Sequence, residues 1–191
     1  YASFPTHGRH RVEHAELALP TTVARFARED VTASMQPIHL RWLSPAFTDP
    51  WSERLGLPRC SHSYPSGDIH AEGANVVLGS DWPVAPFDPR LGFFAAQRRF
   101  APDADDRRPI GSSRPLSGLE TLAGYTVNAA RAVGTPGGVL TVGAPADLVA
   151  GGDDPATCTP EDVPDLPVHL TVAAGRLVHG AGAPSTPAGP R

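Results

Sequence analysis

The chain has 191 residues, of which 40% are hydrophobic and 19% charged, so it is long enough to bury one sizeable core. Its formal net charge is -4, and its 16 basic residues are all arginines that form no run or stripe, which argues against a nucleic-acid partner. Because the sequence contains no lysine, this chain cannot itself supply a P-loop lysine, a Schiff-base lysine or a carboxylated lysine.

The first predicted elements are a strand, a helix and a second strand. Residues 9–17 indicate a short strand that leaves into a polar turn. Val23, Phe26 and Ala27 then fall on one face of an amphipathic helix, which begins near a proline and two threonines. Residues 31–35 are strand-like and stop before a proline, which cannot continue a central ladder.

A long connection precedes the third predicted strand. Residues 38–68 show no sustained hydrophobic period, which predicts a long loop with one helical turn at most. Residues 66–73 indicate a short helix with a glycine stop. The apolar run at residues 75–79 is typical of a buried parallel strand, and Ser80 and Asp81 follow it directly.

Two further helices follow this strand. One is predicted at residues 91–100, and another begins with a capping box formed by Ser117 and Glu120 and ends at Gly134. The expected buried face of the second helix comprises Leu119, Leu122, Ala123, Thr126, Ala129, Ala130 and Val133.

Beyond residue 137 the pattern changes to short strands separated by glycine turns. Strands are predicted at residues 139–142, 148–150, 168–172 and 176–178. The last residues, 181–191, are rich in Gly, Ala and Pro, which predicts a disordered tail.

Alternating strands and helices predict a parallel sheet with helices outside it, as in a (β/α)8 barrel. His14 and Asp81 lie 67 residues apart, close to two barrel units of about 31 residues each. Both would then lie at the carboxyl ends of strands, on the face where barrel enzymes carry their catalytic groups. Imidazole and carboxylate also suit zinc and similar divalent ions. Spacing alone leaves open that each is a hydrogen-bonded structural residue.

Four motifs occur in order along the chain: RHRVEHAE at residues 9–16, ASMQPIH at 33–39, LGSDWPV at 78–84 and GAPADLV at 143–149. In the same order they resemble the motifs of the amidohydrolase superfamily. The subgroup they resemble most is amidohydrolase family 3, which includes N-substituted formamide deformylases. The resemblance covers nearly the whole chain.

The resemblance implies a fold, a cofactor and site residues. The fold would be α/β, with the C-terminal part of a (β/α)8 TIM barrel, about its last three strands, and part of a small β-sandwich. His14 would end the sixth barrel strand and bind a divalent metal, with zinc as the expected metal and one or two ions bound. Asp81 would end the eighth strand, bind or border the metal, and act as the general base that takes a proton from the attacking water and returns it to the leaving nitrogen.

Two further residues are candidates for substrate binding. His39 follows the second strand and could polarise a substrate carbonyl group, or it could make a loop hydrogen bond. Trp82 follows Asp81 and could contact the substrate or stiffen the loop.

The expected domains are residues 1–136 as the C-terminal part of the barrel, residues 137–180 as strands of the small β-sandwich, and residues 181–191 as the tail. The family's remaining ligands, a His-x-His pair, a bridging Lys or Glu and a further His, would lie upstream of Tyr1. We therefore expect a fragment that is inactive and aggregation-prone by itself, because three strands cannot close a barrel.

The leading functional prediction is hydrolysis of a C–N bond in a non-peptide amide by metal-activated water. The alternative is a catalytically inactive remnant or binding module of the same fold. A serine hydrolase is disfavoured because no Gly-x-Ser-x-Gly motif occurs.

The expected partner is a small-molecule substrate, and no nucleic-acid or membrane partner is expected. A homo-oligomer is one expected state of the full-length protein. Cys60 and Cys158 fit no disulfide framework, and no apolar run approaches the roughly 20 residues of a membrane span. The cytoplasm is therefore the expected location.

Overall fold

The computed structural model of the protein describes residues 9–182. Its first sheet has three parallel strands, β1 (Arg11–Glu13), β2 (Thr32–Met35) and β3 (Val76–Leu78), with β2 in the centre. All three lie where the sequence predicts a strand, and the fold is α/β as expected. From residue 183 onward, the predicted tail lies outside the described residues.

Helix α1 (Pro20–Arg28) connects β1 to β2 and buries Val23 and Phe26, as its hydrophobic period predicts. Ala33 of β2 and Val76 of β3 are neighbours in register and are almost fully buried. Parallel strands are usually buried in this way, because crossover helices cover the sheet. The core therefore lies between the sheet and its helices.

The connection between β2 and β3 contains more helix than predicted. A 3₁₀ helix at Pro37–Trp42 is followed by α2 (Pro50–Leu55), α3 (Leu57–Cys60) and α4 (Ser66–Ala71). The prediction of a long loop at residues 38–68 was therefore wrong, whereas the helix predicted at 66–73 is confirmed. Helices of four to six residues are too short for a hydrophobic period to show.

Three longer helices follow β3: α5 (Pro89–Arg98), α6 (Gly118–Tyr125) and α7 (Val127–Val133). The predicted capping box between Ser117 and Glu120 is present. The single helix predicted to end at Gly134 is instead two helices, because Thr126 leaves helical geometry with φ -124° and ψ -96°. None of the helices within residues 9–182 is both long enough and apolar enough to span a bilayer.

The buried face of α6 and α7 differs from the predicted one. Leu119 and Val133 are 68% and 58% exposed, whereas Thr121 and Gly124 are buried. A Cβ atom at Gly124 would lie 2.7 Å from Leu78 Cγ, so only glycine allows α6 to approach β3 this closely. The prediction was wrong because close approach to a strand selects small residues rather than the most hydrophobic ones.

A second, antiparallel sheet contains β4 (Leu148–Gly151), β5 (Val168–Ala173) and β6 (Arg176–His179) in that order. These strands confirm three of the four predicted in this region. Residues 139–142 form no strand, and Leu140 is 83% exposed. A run of high strand propensity becomes a strand only beside a partner, and no described strand pairs with it.

Candidate active site

The sheet places His14 and Asp81 at one edge. His14 follows β1 directly, and Asp81 follows β3 after two residues. Because the strands are parallel, their carboxyl ends meet at the same edge of the sheet. His14 Nε2 lies 3.6 Å from Asp81 Oδ2. The structure therefore brings this predicted pair together, close enough for both side chains to reach one cation.

Both residues have a left-handed backbone. The φ angle is 53° at His14 and 58° at Asp81, in a region that residues other than glycine rarely adopt. Such conformations cost on the order of 1–3 kcal/mol and cluster at functional sites. Five other described non-glycine residues share a positive φ, so this conformation marks the turns that end β1 and β3 and does not by itself assign a role.

His39 reaches the same edge from β2. It lies in the 3₁₀ helix after that strand, and its side chain is only 5% exposed. Its ring stacks on His14 with centroids 5.8 Å apart and an interplanar angle of 18°, and the Trp42 ring lies 4.7 Å away. His39 thus belongs to the same cluster as His14, while its contact with substrate stays a prediction.

Glu16 links the two imidazoles. Its Oε1 atom lies 3.1 Å from His39 Nδ1 and 3.8 Å from His14 Nδ1. Burial alone would raise the pKa of Glu16, but hydrogen bonds from His39 and Tyr64 outweigh burial and lower the pKa. Glu16 is therefore an ionised carboxylate at neutral pH.

Tyr64 supports Glu16 as a neutral donor. Burial and, second, the nearby charge of Glu16 raise the pKa of the Tyr64 hydroxyl well above its usual range. The phenol therefore keeps its proton and donates it in a hydrogen bond to the Glu16 carboxylate.

Glu16 and Tyr64 are site residues that were not predicted from the sequence. The available signal for Glu16 was its position two residues after His14, in the segment that leaves the carboxyl end of β1. For Tyr64 the sequence carries no such signal, because it lies 48 residues beyond Glu16 and meets it only through the fold.

The donor set fits a divalent metal ion. His14, Glu16 and His39 each offer one ligand atom, and these atoms all lie within 4.8 Å of one another. Asp81 adds a carboxylate on the Nε2 side of His14. Such nitrogen and oxygen donors suit Zn²⁺. The side chains of His14 and Asp81 are 45% and 36% exposed, so a ligand can reach them without disturbing the core.

Trp82 lies on the exposed rim next to Asp81. Its side chain is 65% exposed, its ring meets Phe87 edge-on with centroids 6.2 Å apart, and its peptide bond to Pro83 is cis. The structure thus leaves an aromatic surface beside the predicted site, and the predicted contact of Trp82 with substrate stays a prediction.

Comparison with known proteins identifies the family. Residues 2–179 match the sequence profile of the amidohydrolase family. "Protein LONG AFTER FAR-RED 3" of Arabidopsis thaliana is 37% identical over 125 residues, which are 65% of this chain and 20% of that protein. "Putative amidohydrolase YtcJ" of Bacillus subtilis (strain 168) is 27% identical over 179 residues, 92% of this chain and 33% of that protein. The chain therefore spans between a fifth and a third of the length of these relatives.

Solved hydrolase structures share the fold. An uncharacterized metal-dependent hydrolase from Pyrococcus horikoshii OT3 aligns with a TM-score of 0.54 and 26% identity, over 67% of this chain and 25% of that one. Ochratoxinase from A. niger aligns with a TM-score of 0.63 and 20% identity, over 90% of this chain and 37% of the ochratoxinase chain. Atrazine chlorohydrolase TrzN from Arthrobacter aurescens, complexed with zinc, aligns with a TM-score of 0.57 and 19% identity, over 91% of this chain and 37% of the TrzN chain. With the profile match over nearly its full length, the chain belongs to the amidohydrolase family.

Proposed function

We propose that this chain carries the closing part of the active centre of a metal-dependent hydrolase that cleaves a C–N bond in a non-peptide amide. One observation carries the proposal: His14 Nε2 and Asp81 Oδ2 lie 3.6 Å apart at the carboxyl edge of a parallel sheet. That edge is where barrel enzymes hold their reacting groups. Membership of the amidohydrolase family supports the same reaction class.

The chain would be the C-terminal part of a larger enzyme. We propose that residues 1–136 form about the last three strands of a (β/α)8 barrel and residues 137–180 contribute to a small β-sandwich. The parallel order β1-β2-β3 and the likeness to longer hydrolase chains support this arrangement. The remaining strands and metal ligands would come from the rest of the protein.

His14 and Asp81 would hold the metal ion, with zinc as the proposed metal and one or two ions bound. When bound, such an ion lowers the pKa of water and polarises a carbonyl group. Asp81 would accept the proton of the attacking water and return it to the leaving nitrogen, because its carboxylate is partly exposed at this edge, beside His14.

We propose that the substrate is a small molecule held between the metal site and the exposed aromatic rim. Trp82 offers an apolar surface next to Asp81, and Trp42, half exposed, offers a second one next to His39. Both cysteines, Cys60 and Cys158, are free thiols, which fits the cytoplasm as the proposed location.

The test uses the full-length protein that contains this chain. Bound zinc is measured by elemental analysis, and amine release is measured with formanilide and acetanilide as probe substrates. We expect His14→Ala to lose zinc, and Asp81→Asn to reduce amine release at least about 100-fold, the usual contribution of a general base. His62→Ala and Asp105→Asn are the matched controls, and both should behave like the wild type.

Two results would contradict the proposal. One is a wild-type protein that binds no zinc and releases no amine from either probe, as an inactive remnant or binding module would. The other is unchanged zinc content and turnover in both His14→Ala and Asp81→Asn.

A further inference from the structure

Glu16 lies at the centre of a hydrogen-bonded group beside the proposed metal site. Its carboxylate accepts from His39 Nδ1, at 3.1 Å, and from the Tyr64 hydroxyl. The other His39 nitrogen, Nε2, is buried and has no hydrogen-bond partner within residues 9–182. With its proton on Nδ1, His39 can donate a hydrogen bond to Glu16. With the proton on Nε2 alone, the Nδ1 lone pair would face a carboxylate and the Nε2–H would have no acceptor.

The position of Glu16 is fixed by more than one contact. The Tyr64 backbone N–H donates to the Glu16 carbonyl oxygen at 2.7 Å, and Tyr64 is only 2% exposed. Arg99 Nη1 in turn donates to the Tyr64 carbonyl oxygen at 2.8 Å. Glu16 is therefore held through its backbone as well as through its carboxylate.

The two ring nitrogens of His14 face different carboxylates. Nδ1 lies 3.8 Å from Glu16 Oε1, and Nε2 lies 3.6 Å from Asp81 Oδ2. The His14 ring also stacks on His39. In metal sites, the histidine nitrogen that does not bind the ion usually donates to a carboxylate or carbonyl oxygen, which sets the tautomer and the ring orientation.

We infer that Glu16 is a positioning residue that keeps Nδ1 of both imidazoles, His14 and His39, turned toward its carboxylate. Tyr64 holds that carboxylate in place. His14 Nε2 then faces Asp81, on the side where an ion would bind. The part of this inference that concerns the ion rests on the proposed function, whereas the part that concerns His39 does not.

The variants Glu16→Leu and Tyr64→Phe test the inference in the full-length protein. Glu16→Leu removes the acceptor and keeps a side chain of similar size, and Tyr64→Phe removes only the hydroxyl. Glu29→Leu is the control for the first, because Glu29 is a carboxylate at the end of α1 that pairs with Arg25 and Arg28. Tyr125→Phe is the control for the second, because the buried Tyr125 hydroxyl has no hydrogen-bond partner within residues 9–182.

The first measurement is the tautomer of His39 in protein labelled with ¹⁵N-histidine, read by long-range ¹⁵N–¹H NMR. The His39 signals are assigned from those that disappear in His39→Gln. We expect the Nδ1–H form in the wild type and both controls, and a shift toward the Nε2–H form in Glu16→Leu. An Nε2–H tautomer in the wild type, or an unchanged tautomer in Glu16→Leu, would overturn the inference.

The second measurement is the affinity for Zn²⁺, determined by competition with a chelator. We expect Glu16→Leu to weaken binding by about 10- to 100-fold while keeping the site, as for other residues that orient a ligand without binding the ion. Tyr64→Phe should weaken it less, and the controls should match the wild type. Loss of the site in Glu16→Leu at saturating Zn²⁺ would overturn the inference, because Glu16 would then be a ligand itself. A wild type that binds no Zn²⁺ would refute the proposed function, and the tautomer would still decide the role of Glu16 toward His39.

Discussion

Arg99 is a buried cation that joins two loop segments near the site, and its replacement by methionine gives a quantitative test of the packing. Its side chain is 3% exposed and donates to the carbonyl oxygens of Ser63, Tyr64 and Ile110. Burial lowers the pKa of Arg99 to about 10, so the guanidinium remains charged at neutral pH. It holds the Ser63–Tyr64 segment that contacts Glu16.

Arg99→Met keeps most of the side-chain volume and removes the donors. Three buried carbonyl oxygens then lose a partner, and each unsatisfied group costs about 1–3 kcal/mol. Removing a buried charge offsets part of this cost. Three such groups together cost about 3–9 kcal/mol, so even with this offset we expect the free energy of unfolding to fall by about 2 kcal/mol or more. The backbone at this position is left-handed, with φ 61°, and its conformational cost is the same for Arg and Met, so it does not contribute to the difference in unfolding free energy.

The assay is urea denaturation of the full-length protein, followed by circular dichroism. Arg108→Met serves as control, because Arg108 is exposed and, among residues 9–182, forms an ion pair with the nearby Asp106 alone, so we expect no change beyond experimental error. A loss of less than about 1 kcal/mol in Arg99→Met would refute the reasoning, since the three lost hydrogen bonds would then not outweigh the gain from removing a buried charge.

Three further substitutions test the core and one surface cluster. Gly124→Ala should destabilise the protein by about 1–3 kcal/mol in urea denaturation, because the new methyl group meets Leu78, whereas Gly79→Ala, with open space around its Cβ, should not. Phe26→Ala should cost about 3–5 kcal/mol by the same assay, since it empties a core position under α1. A hydrogen bond from Arg114 lowers the pKa of Glu120 from 4.5 to about 2. Ionised Glu120 therefore stabilises the folded state fully above pH 4.5, and this stabilisation is lost as pH falls toward 2. Glu120→Gln should therefore lower the urea midpoint at pH 6, and its difference from the wild type should shrink at pH 2.5.

The meeting of His14 and Asp81 could be predicted from the sequence because it depends only on topology. The sequence predicts a strand before each residue, weakly for the charged β1 and clearly for the apolar β3, and parallel strands bring their carboxyl ends to one edge of the sheet. The contact between Glu16 and His39 depends instead on the left-handed turn at His14 and on the 3₁₀ helix after β2. Neither feature has a hydrophobic period, so the sequence pattern could not reveal the contact.

The errors in the fold have similar causes. Gly124 is buried against Leu78 because it is small, and hydrophobic ranking places Leu119 there instead. Residues 139–142 have the composition of a strand, but propensity describes how a side chain fits a pleated surface and says nothing of a partner. Local composition therefore predicts elements well where their partners are adjacent in the described chain, as in β5 and β6.

The most direct test of the account is an anomalous difference map, recorded at the zinc absorption edge, from crystals of the full-length protein grown with Zn²⁺. We predict a peak about 2.1 Å from His14 Nε2 and at a similar distance from a carboxylate oxygen of Asp81. A peak bound elsewhere, or clear electron density that separates these two side chains with no peak between them, would contradict the account.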